Sequence, residues 1–569
     1  MSRHLLVAPA LALLGACWSS APPAVTARSP EASRPSPPPA DTLRPGELTS
    51  GRPIPPEQAC YDVLQYDLDV AVLPAKRTIH GRVKALLVVL APTHALVFDL
   101  DDHLRVEQVA TDPEPAPQYS HRNGAIRIEF EEKLPAGMQL AVVIDYGGTP
   151  REAPRPPWDG GFVWSSTASG APWIATANQM QGGDLWWPCK DQPDDEADAM
   201  NIRVTVPRPL VCASNGRLVG TEEKEKGWLT YDWRVTTPIN AYGVALNIAP
   251  YETITREITS VAGDTFPVTY WVLPENVAKG KVLFEDVLKQ VRGLEELFGP
   301  YPFRGDKYGV AETPFLGMEH QSIIAYGNQY QGNPWGNDHG LDFLHLHEFA
   351  HEWWANLVTA KNWNDFWIHE GFATYAEALY TEKVAGKAGY RDVMESKRHF
   401  FNAEAVAPRG PRTASAMYGN SDIYYKGAWV LHTLRFLLGD ETFFTALKRM
   451  AYPDPELARA TDGRACRFAT TDELRAIVEQ ASGRELEWFF EVYLRQPHLP
   501  KLVTETKGRA LHLRWETPTD VPFPLPVEVE LGGERVRVEM PGGRGVLENP
   551  TGTRVRVDPD RWLLREEDS

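Results

Sequence analysis

Residues 347–351 read His-Glu-Phe-Ala-His, and they fall inside a helix-like run over 341–358. Residues four apart lie one above the other on the same face of a helix. The imidazoles of His347 and His351 can therefore bind one metal ion together, while Glu348 lies beside that ion as a candidate proton acceptor. The pattern predicts a helix at this point of the chain and a zinc site on its surface.

A catalytic zinc needs a third protein ligand and one position left open for water. Residues 366–372 read Phe-Trp-Ile-His-Glu-Gly-Phe and supply Glu370, with eighteen residues between His351 and Glu370. This gap suits a helix, a short loop and a second helix packed antiparallel to the first. The metzincin arrangement is excluded, because it needs a glycine and a third histidine shortly after His351. The sequence thus predicts one Zn²⁺ per chain, bound by His347, His351 and Glu370.

The spacing of these ligands resembles that of the aminopeptidase N and leukotriene hydrolase family of gluzincin zinc metallopeptidases. Residues 316–320, Leu-Gly-Met-Glu-His, stand where that family has Gly-X-Met-Glu-Asn, and residues 424–427, Tyr-Tyr-Lys-Gly, match its Tyr-X-Lys-Gly motif. The resemblance extends over most of 60–500 and includes Trp-Pro-Cys-Lys-Asp at 187–191. It implies a zinc-dependent aminopeptidase, in a short form that lacks the large C-terminal helical domain of many relatives and has a more open cleft.

The resemblance identifies Glu319 as the carboxylate that binds the free α-ammonium of a peptide substrate, with Gly317 and Met318 beside it in the same substrate-binding motif. Gln181 resembles the family's second contact to that amine. The spacing from Gln181 to the following Trp-Pro-Cys motif is shorter than in the family, so Gln179 is the alternative. Recognition of an ammonium requires fixed oxygen acceptors of this kind.

Three departures from the family pattern lie around these residues. Leu316 replaces the first glycine of its motif, His320 replaces the asparagine, and His369 replaces the asparagine that usually precedes the third ligand. We expect these substitutions to alter the geometry around the substrate amine. Another nearby histidine, His345, is two residues from His347 and is expected to point away from the metal face.

The predicted reaction is hydrolysis of the N-terminal peptide bond. Zinc polarises the scissile carbonyl and lowers the pKa of a water molecule, while Glu348 takes the water's proton and passes it to the leaving amine. As the carbonyl becomes tetrahedral its oxygen gains negative charge, and Tyr424 is the candidate hydrogen-bond donor to it. Tyr425 takes that role if the motif is shifted by one residue.

Two other functions stay open at this point. The first is a zinc hydrolase or endopeptidase of other specificity, which would share the metal site but not the recognition of a free amine. The second is a catalytically inactive, zinc-containing binding lipoprotein. The intact Glu348 and Tyr424 argue against the inactive protein, because binding alone needs neither residue.

The first residues have the order of a bacterial lipoprotein signal. Basic residues precede an apolar stretch over 5–15 that is too short to span a bilayer, and Leu-Gly-Ala leads directly into Cys17. We expect residues 1–17 to be a signal peptide, with lipid on Cys17 and export to the cell envelope, at the bacterial outer membrane or the periplasmic face. An ordinary signal peptide with a chance cysteine is the alternative. Residues 18–57 are rich in Pro, Ser and Ala and are predicted to form a disordered tether.

Apolar residues alternate with polar ones after the tether, as over 66–70, and predict a saddle-like N-terminal β domain over 58–252. Helical spacing follows and predicts a mainly helical, thermolysin-like zinc domain over 253–497. Alternation returns in a small β-sandwich-like domain over 498–569. The expected fold class is therefore α+β with several domains.

The composition limits the partners of the chain. Acidic residues exceed basic ones by 18, so the chain has no basic field to recruit nucleic acid. We expect peptides with free N-termini as substrates, and the membrane as a partner through the N-terminal lipid. The remaining cysteines lack the close paired spacing of a zinc finger and are assigned no chemistry. They are Cys60, Cys189, Cys212 and Cys466.

Overall fold

The computed structural model describes residues 49–113, 117–333, 337, 339–419, 421–549 and 552–567. These residues form a β-rich N-terminal domain, a mainly helical central domain and a C-terminal pair of small sheets, which confirms the predicted α+β fold. The predicted signal peptide with Cys17, and the predicted tether up to residue 48, lie outside the described residues. Within the described part of the chain, none of the helices combines the length and apolar character needed to cross a bilayer.

The N-terminal domain consists mainly of β-strands, and one short α-helix precedes the first of them. Its strands pair into a seven-stranded, a four-stranded and a three-stranded sheet and one two-stranded ribbon. In chain order the elements are α1 (Pro56–Ala59), β1 (Tyr61–Leu73), β2 (Thr78–Val89), β3 (Thr93–Asp99), β4 (Leu104–Asp112), β5 (Gln118–Arg122), β6 (Ala125–Leu134), β7 (Gln139–Gly148), β8 (Gly161–Ser166), β9 (Pro172–Ala177), β10 (Glu196–Ala197), β11 (Ala199–Pro207), β12 (Val211–Ser214), β13 (Arg217–Glu225), β14 (Trp228–Val235), β15 (Ile239–Asn240) and β16 (Leu246–Ala249).

The large sheet has the order β13-β14-β11-β1-β2-β7-β4, with β1 parallel to β11 and antiparallel to β2. Every second side chain of β1 is buried from Tyr66 to Val72, in agreement with the alternation in the sequence. These side chains form the core of the domain together with Trp186 and Trp187. The four-stranded sheet has the order β12-β16-β9-β8. It positions the functional site, because the chain leaves β9 at Ala177 and enters a loop whose Gln179 side chain contacts the central domain.

The central domain combines a five-stranded sheet and a two-stranded ribbon with several helices. Its strands are β17 (Glu252–Thr259), β18 (Thr265–Val272), β19 (Tyr308–Glu312), β20 (Gly317–Met318), β21 (Ile324–Tyr326), β22 (Val358–Ala360) and β23 (Arg467–Ala469). Its helices are α2 (Val277–Phe298), α3 (Phe343–Ala350), α4 (Trp367–Ser396), α5 (Ala414–Tyr418), α6 (Tyr425–Leu438), α7 (Asp440–Ala451), α8 (Thr471–Ser482) and α9 (Glu487–Leu494). The sheet order β17-β18-β19-β21-β20 places β20 at an edge, where it contacts α3.

The C-terminal residues form two three-stranded sheets. The strands are β24 (Lys501–Lys507), β25 (Ala510–Glu516), β26 (Val527–Leu531), β27 (Glu534–Val538), β28 (Arg544–Glu548) and β29 (Val555–Val557). They pair in the orders β24-β25-β28 and β27-β26-β29. Trp515 meets Phe523 edge to face at 5.3 Å, and this small core continues into that of the central domain. The four cysteines within the described residues carry free thiols.

The single helix predicted over 341–358 is wrong in its second half. The helix α3 ends at Ala350, and a π-helical turn over Glu352–Leu357 leads into β22. Trp354 leaves the helical conformation, and its carbonyl accepts a hydrogen bond from the His351 ring. The strand β22 then pairs with β23, more than a hundred residues further along. A tertiary contact therefore ends the helix where local periodicity would continue it.

The disordered tether predicted over 18–57 is wrong at its C-terminal end. Thr49 and Ser50 are 1% and 2% exposed, and α1 already begins at Pro56. Backbone hydrogen bonds tie Ser50 to the N-terminal domain and to the central domain. Burial of satisfied backbone groups can hold such a stretch without large apolar side chains, which is why its composition does not reveal it.

Candidate metal centre

Three side chains from two helices meet at one point. His347 lies in α3, His351 caps that helix, and Glu370 lies in the first turn of α4. The Nε2 atoms of the two histidines are 3.2 Å apart, and Glu370 Oε2 lies 3.4 Å and 3.5 Å from them. The structure thus brings together the three residues that the sequence predicts as zinc ligands, where α4 packs on α3.

The triangle formed by these three atoms fits a tetrahedral zinc ion. Ligand distances of about 2.1 Å around zinc place neighbouring ligand atoms about 3.4 Å apart. The observed separations of 3.2, 3.4 and 3.5 Å match this spacing. Two imidazole nitrogens and one carboxylate oxygen also form a donor set that suits zinc. The donor atoms present therefore fit one zinc ion.

Both histidines are oriented through their other ring nitrogen. His347 Nδ1 donates to Glu377 Oε1 at 2.9 Å, and Glu377 is paired in turn with Lys397 at 2.6 Å. His351 Nδ1 donates to the carbonyl of Trp354 at 3.0 Å. Such bonds select the tautomer and direct both Nε2 atoms towards the metal position.

Glu348 lies beside the predicted ligands in buried surroundings. Glu319, Glu348 and His351 each offer an atom within 4.8 Å of the others. Burial raises the pKa of Glu348 to about 8, against the attraction of His347 and His351. A carboxyl with a pKa near neutrality is suited to accept a proton and to return it. A Cβ at Gly317 would lie 2.4 Å from Glu348 Oε1, so this close approach requires glycine.

Glu319 and Gln179 form the candidate amine-binding site. Gln179 Nε2 donates to Glu319 Oε1 and to Glu370 Oε1, at 2.8 Å each. The backbone carbonyl of Glu319 accepts a hydrogen bond from Asn356, which lies in the π-helical turn. Burial raises the pKa of Glu319, and the neighbouring His351 opposes that rise. A buried carboxylate held in this way is placed to accept hydrogen bonds from an ammonium group.

The structure favours Gln179 over Gln181, the residue first predicted, as the second amine contact. Gln181 Oε1 accepts a hydrogen bond from the backbone N–H of Gly160 at 2.7 Å, within the N-terminal domain. Gln179, the alternative left open by the motif spacing, contacts Glu319 instead. The reason lies in the turn after β9, where the N–H of Gly182 bonds the carbonyl of Asn178. This turn sends two glutamines only two residues apart to different partners.

Tyr424 lies immediately before α6 and faces the predicted ligands. Its ring stacks over that of His347, with centroids 6.2 Å apart and planes at 17°. Burial, followed by the nearby Glu370, raises the pKa of Tyr424 well above its ordinary value, so the phenol keeps the proton that it would donate. Tyr425 instead faces Lys397, whose ammonium lies 5.5 Å from its ring centre. This geometry favours Tyr424 over Tyr425 as the hydrogen-bond donor.

The residues that depart from the family pattern lie close to the centre. His369 Nε2 accepts the backbone N–H of Ala360 at 2.8 Å and so fixes β22 against α4. His320 is fully buried, burial lowers its pKa to about 3, and neither ring nitrogen has a hydrogen-bond partner among the described residues. Leu316 packs against the core of the central domain, in which Met318 is buried.

The positions of His345 and Glu377 both follow from the periodicity of their helices. His345 points away from the metal position, as expected, because its ring bonds Tyr308 and Gln290. Glu377 was missed by the sequence interpretation, although it lies seven residues after Glu370 on α4. Positions seven apart share a helix face, so this spacing is the signal that could have identified it.

Two parts of the chain match known domains. Residues 63–242 match the peptidase M1 N-terminal domain, and residues 300–493 match the peptidase family M1 domain. Aminopeptidase N of Haemonchus contortus is 26% identical over 477 residues, which cover 74% of this chain and 46% of that protein. Aminopeptidase N of Streptomyces lividans is 25% identical over 401 residues, which cover 66% and 44%. The chain spans about half the length of these relatives.

Solved structures share the fold. The M1 zinc metallopeptidase of Deinococcus radiodurans matches with a TM-score of 0.61 at 24% identity, over 78% of this chain and 96% of that one. A variant of that protein bound to a Tyr-Ser-Ala substrate also matches with a TM-score of 0.61, at 23% identity, over 79% and 96%. Both M1 domains are thus matched in the order in which the structure places them, and the second contains all three candidate zinc ligands, so the chain belongs to peptidase family M1.

Proposed function

We propose that this protein is a zinc-dependent aminopeptidase that binds one Zn²⁺ per chain through His347, His351 and Glu370. It removes N-terminal residues from peptides whose α-amine is free. Membership of peptidase family M1 supports peptide-bond hydrolysis. The relatives named aminopeptidase N support cleavage at the N-terminus over cleavage of internal peptide bonds. The substrate-bound neighbour, which holds Tyr-Ser-Ala, supports a short peptide with a free N-terminus as the substrate class.

The observation that carries this proposal is the contact of one amide with two carboxylates. Gln179 holds Glu319 directly beside Glu370, at 2.8 Å from each. A carboxylate at this place fixes the substrate ammonium a short distance from the metal, so that the first peptide bond is the one held in position for attack. An endopeptidase gains nothing from such a group, because an internal peptide bond offers no charge to offset its burial.

The remaining residues have roles that follow from their positions. When bound, zinc polarises the scissile carbonyl and lowers the pKa of a water molecule. Glu348 accepts a proton from the attacking water and passes it to the nitrogen of the leaving amine. Tyr424 donates a hydrogen bond to the carbonyl oxygen as that oxygen gains negative charge. Glu319 and Gln179 hold the ammonium throughout.

The test is a panel of aminoacyl fluorogenic substrates, each with its N-acetylated counterpart, assayed with and without a chelator. We expect hydrolysis of the free-amine substrates alone, its loss on chelation, and its recovery on addition of zinc. Glu348→Gln is expected to retain zinc and to lower kcat by at least about a hundredfold. Glu319→Ala is expected to raise KM for the free-amine substrates, because the ammonium loses its partner. Cleavage of blocked peptides would favour the endopeptidase, and bound zinc without hydrolysis would favour the inactive binding protein.

We further propose that the protein is exported and lipid-anchored through Cys17. The support is the order of basic, apolar and small residues before that cysteine. Expression of the full chain and of Cys17→Ser in a bacterium, with labelled palmitate, provides the test. We expect label and membrane association in the wild type and neither in the variant. A Cys17→Ser chain that fractionates with membranes like the wild type would contradict the lipid anchor.

A further inference from the structure

The segment Thr49–Arg52, here called the N-terminal strap, lies between the two large domains. The N–H of Ser50 donates to the carbonyl of Met180 at 2.9 Å, and the Ser50 carbonyl accepts the N–H of Ala414 at 3.0 Å. The first bond reaches the N-terminal domain and the second reaches α5 of the central domain. Met180 is the residue directly after Gln179, so the strap is bonded to the backbone that carries the amine-binding amide.

Gly51 places the strap against the side chain of Trp363. Its φ is +76°, and a Cβ at this position would lie 2.2 Å from Trp363 Cδ1, so both conformation and space require glycine. Trp363 Nε1 also donates to Ser50 Oγ at 3.1 Å. The Trp363 ring meets the ring of Tyr242 at 5.7 Å and that of His369, the neighbour of Glu370, at 6.0 Å.

Arg52 supplies the charge that holds the other end of the strap. Its Nη2 contacts Asp184 Oδ2 at 3.2 Å. Against the opposing effect of burial, the charge of Asp184, followed by those of Asp99 and Asp191, raises the pKa of Arg52. Buried carboxylates are costly unless a cation or hydrogen bonds offset their desolvation. Asp184 and Asp191 both follow Gln179 in the chain, in the loop between β9 and β10. Arg52 therefore anchors the part of the loop that the backbone bond to Met180 does not reach.

We propose that the N-terminal strap is a positioning element, which holds the Gln179 loop against Glu319 and Glu370 and thereby sets how tightly the substrate ammonium is bound. This inference rests on the proposed function, because it concerns the same amine-binding site. Among the described residues, the strap makes no hydrogen bond or ion pair with Glu319 or Gln179. It acts through its contacts with Met180, Asp184 and Trp363. A segment that only joined the two domains would affect the stability of the fold. A positioning element also changes the KM for the substrate, because it acts through Gln179.

The experiment uses the full chain and three strap variants. Arg52→Gln removes the charge, Arg52→Lys keeps it, and Ser50→Ala removes the acceptor of Trp363 Nε1 while keeping both backbone bonds. The control is Arg77→Gln, which breaks an exposed ion pair with Glu152 on the surface of the N-terminal domain. The readouts are KM and kcat on a leucyl fluorogenic substrate, and hydrogen–deuterium exchange of the loop over 178–184 in zinc-loaded protein.

We expect Arg52→Gln to raise KM about tenfold with little change in kcat, since a small displacement of a binding group weakens the hold on the ammonium. Arg52→Lys is expected to restore part of this loss, and Ser50→Ala to show a smaller rise in KM. In a Gln179→Ala background we expect Arg52→Gln to cause no further rise in KM, because its effect passes through the Gln179 side chain. Effects of residues that are coupled in this way are not additive. Exchange over 178–184 is expected to quicken in Arg52→Gln and Ser50→Ala and to stay unchanged in Arg77→Gln.

Two results would overturn the proposal. The first is an unchanged exchange rate over 178–184 in the strap variants, which refutes positioning whatever the activity. The second is a KM effect of Arg52→Gln that persists in full without Gln179. If Arg52→Gln does not fold, Ser50→Ala decides by the same two readouts. A wild-type protein that cleaves none of the aminoacyl substrates refutes the proposed function, and the exchange data then still report separately on whether the strap holds the loop.

Discussion

Replacement of Glu377 by alanine is expected to weaken zinc binding by about ten- to a hundredfold, the usual cost of losing a group that orients a metal ligand. Glu377 Oε1 accepts the Nδ1 proton of His347 at 2.9 Å, and the carboxylate is buried and paired with Lys397. Without this acceptor the His347 ring is free to rotate, and its Nε2 becomes a weaker donor to the metal. Activity at limiting zinc is expected to fall in proportion.

The assay is competition for zinc between the protein and a chelating dye of known affinity, at constant pH. Glu377→Gln separates geometry from charge, because its amide oxygen can accept the same hydrogen bond without a negative charge, and we expect its loss to be smaller than that of alanine. Glu395→Gln is the matched control on the same helix α4. Its partner Arg561 is exposed, and exposed ion pairs contribute only about 0–1 kcal/mol, so zinc affinity is expected to stay unchanged.

Thermal unfolding of the metal-free variants shows whether an effect on zinc is separate from an effect on the fold. A Glu377→Ala protein that binds zinc within twofold of the wild type would refute the reasoning, because His347 would then be held by other contacts. An equal loss in Glu395→Gln would assign the effect to disturbance of α4 instead of the bond to His347.

Three further predictions follow from the same site and its surroundings. Tyr424→Phe is expected to lower kcat about a hundredfold with little change in KM, since the phenol acts on charge that develops only in the transition state; an equal fall in Tyr425→Phe would contradict the assignment. Gly317→Ala is expected to lower kcat at unchanged zinc content, because the new Cβ would lie 2.4 Å from Glu348 Oε1; wild-type kcat in this variant would show that the strand gives way. Burial lowers the pKa of Lys307 to about 7, so between pH 7 and the ordinary lysine range the unfolded chain binds more protons than the folded one. The contribution of Lys307 to stability is therefore expected to rise with pH, by at most about 1.4 kcal/mol per unit, and to be lost as pH falls towards 7. Urea unfolding across this pH range measures the free energy of unfolding, and we expect it to depend less on pH in Lys307→Met than in the wild type. An identical pH dependence in the two proteins would contradict the pKa shift.

The grouping of the three candidate zinc ligands could be predicted from the sequence because the relation between them is mostly local. His347 and His351 are one helical turn apart, and Glu370 needs only a return of the chain over eighteen residues. The same holds for the strands at both ends of the chain, where each side chain's face follows from its position in the alternation. Tyr424 and Glu319 could be placed only through motifs that resemble the family, since no periodicity brings them to α3.

The parts that sequence reasoning missed depend on distant contacts. The π-helical turn over 352–357 lies in a fully buried stretch, where apolar residues on every side give no helical stripe to interrupt. The choice between Gln179 and Gln181 depends on the turn after β9 and on Gly160, which bonds the Gln181 side chain and lies about twenty residues earlier in the chain. The N-terminal strap is held by backbone bonds, one glycine and one arginine. Its sequence therefore has no apolar pattern that distinguishes it from the predicted tether.

A single amide links the metal position to the amine-binding position. Gln179 Nε2 donates to one oxygen of Glu370 and one of Glu319, while the other oxygen of Glu370 faces the two imidazoles. In the proposed complex, the separation of metal and ammonium is fixed by one amide and two carboxylates in a close-packed interior, where none can shift freely. One more residue between the ammonium and the scissile bond would add about 3.5 Å and leave the ammonium without this partner. In the proposed aminopeptidase, selectivity for the N-terminal residue follows from the contact that also positions Glu370, and a change that loosens Gln179 is expected to weaken amine binding and zinc binding together.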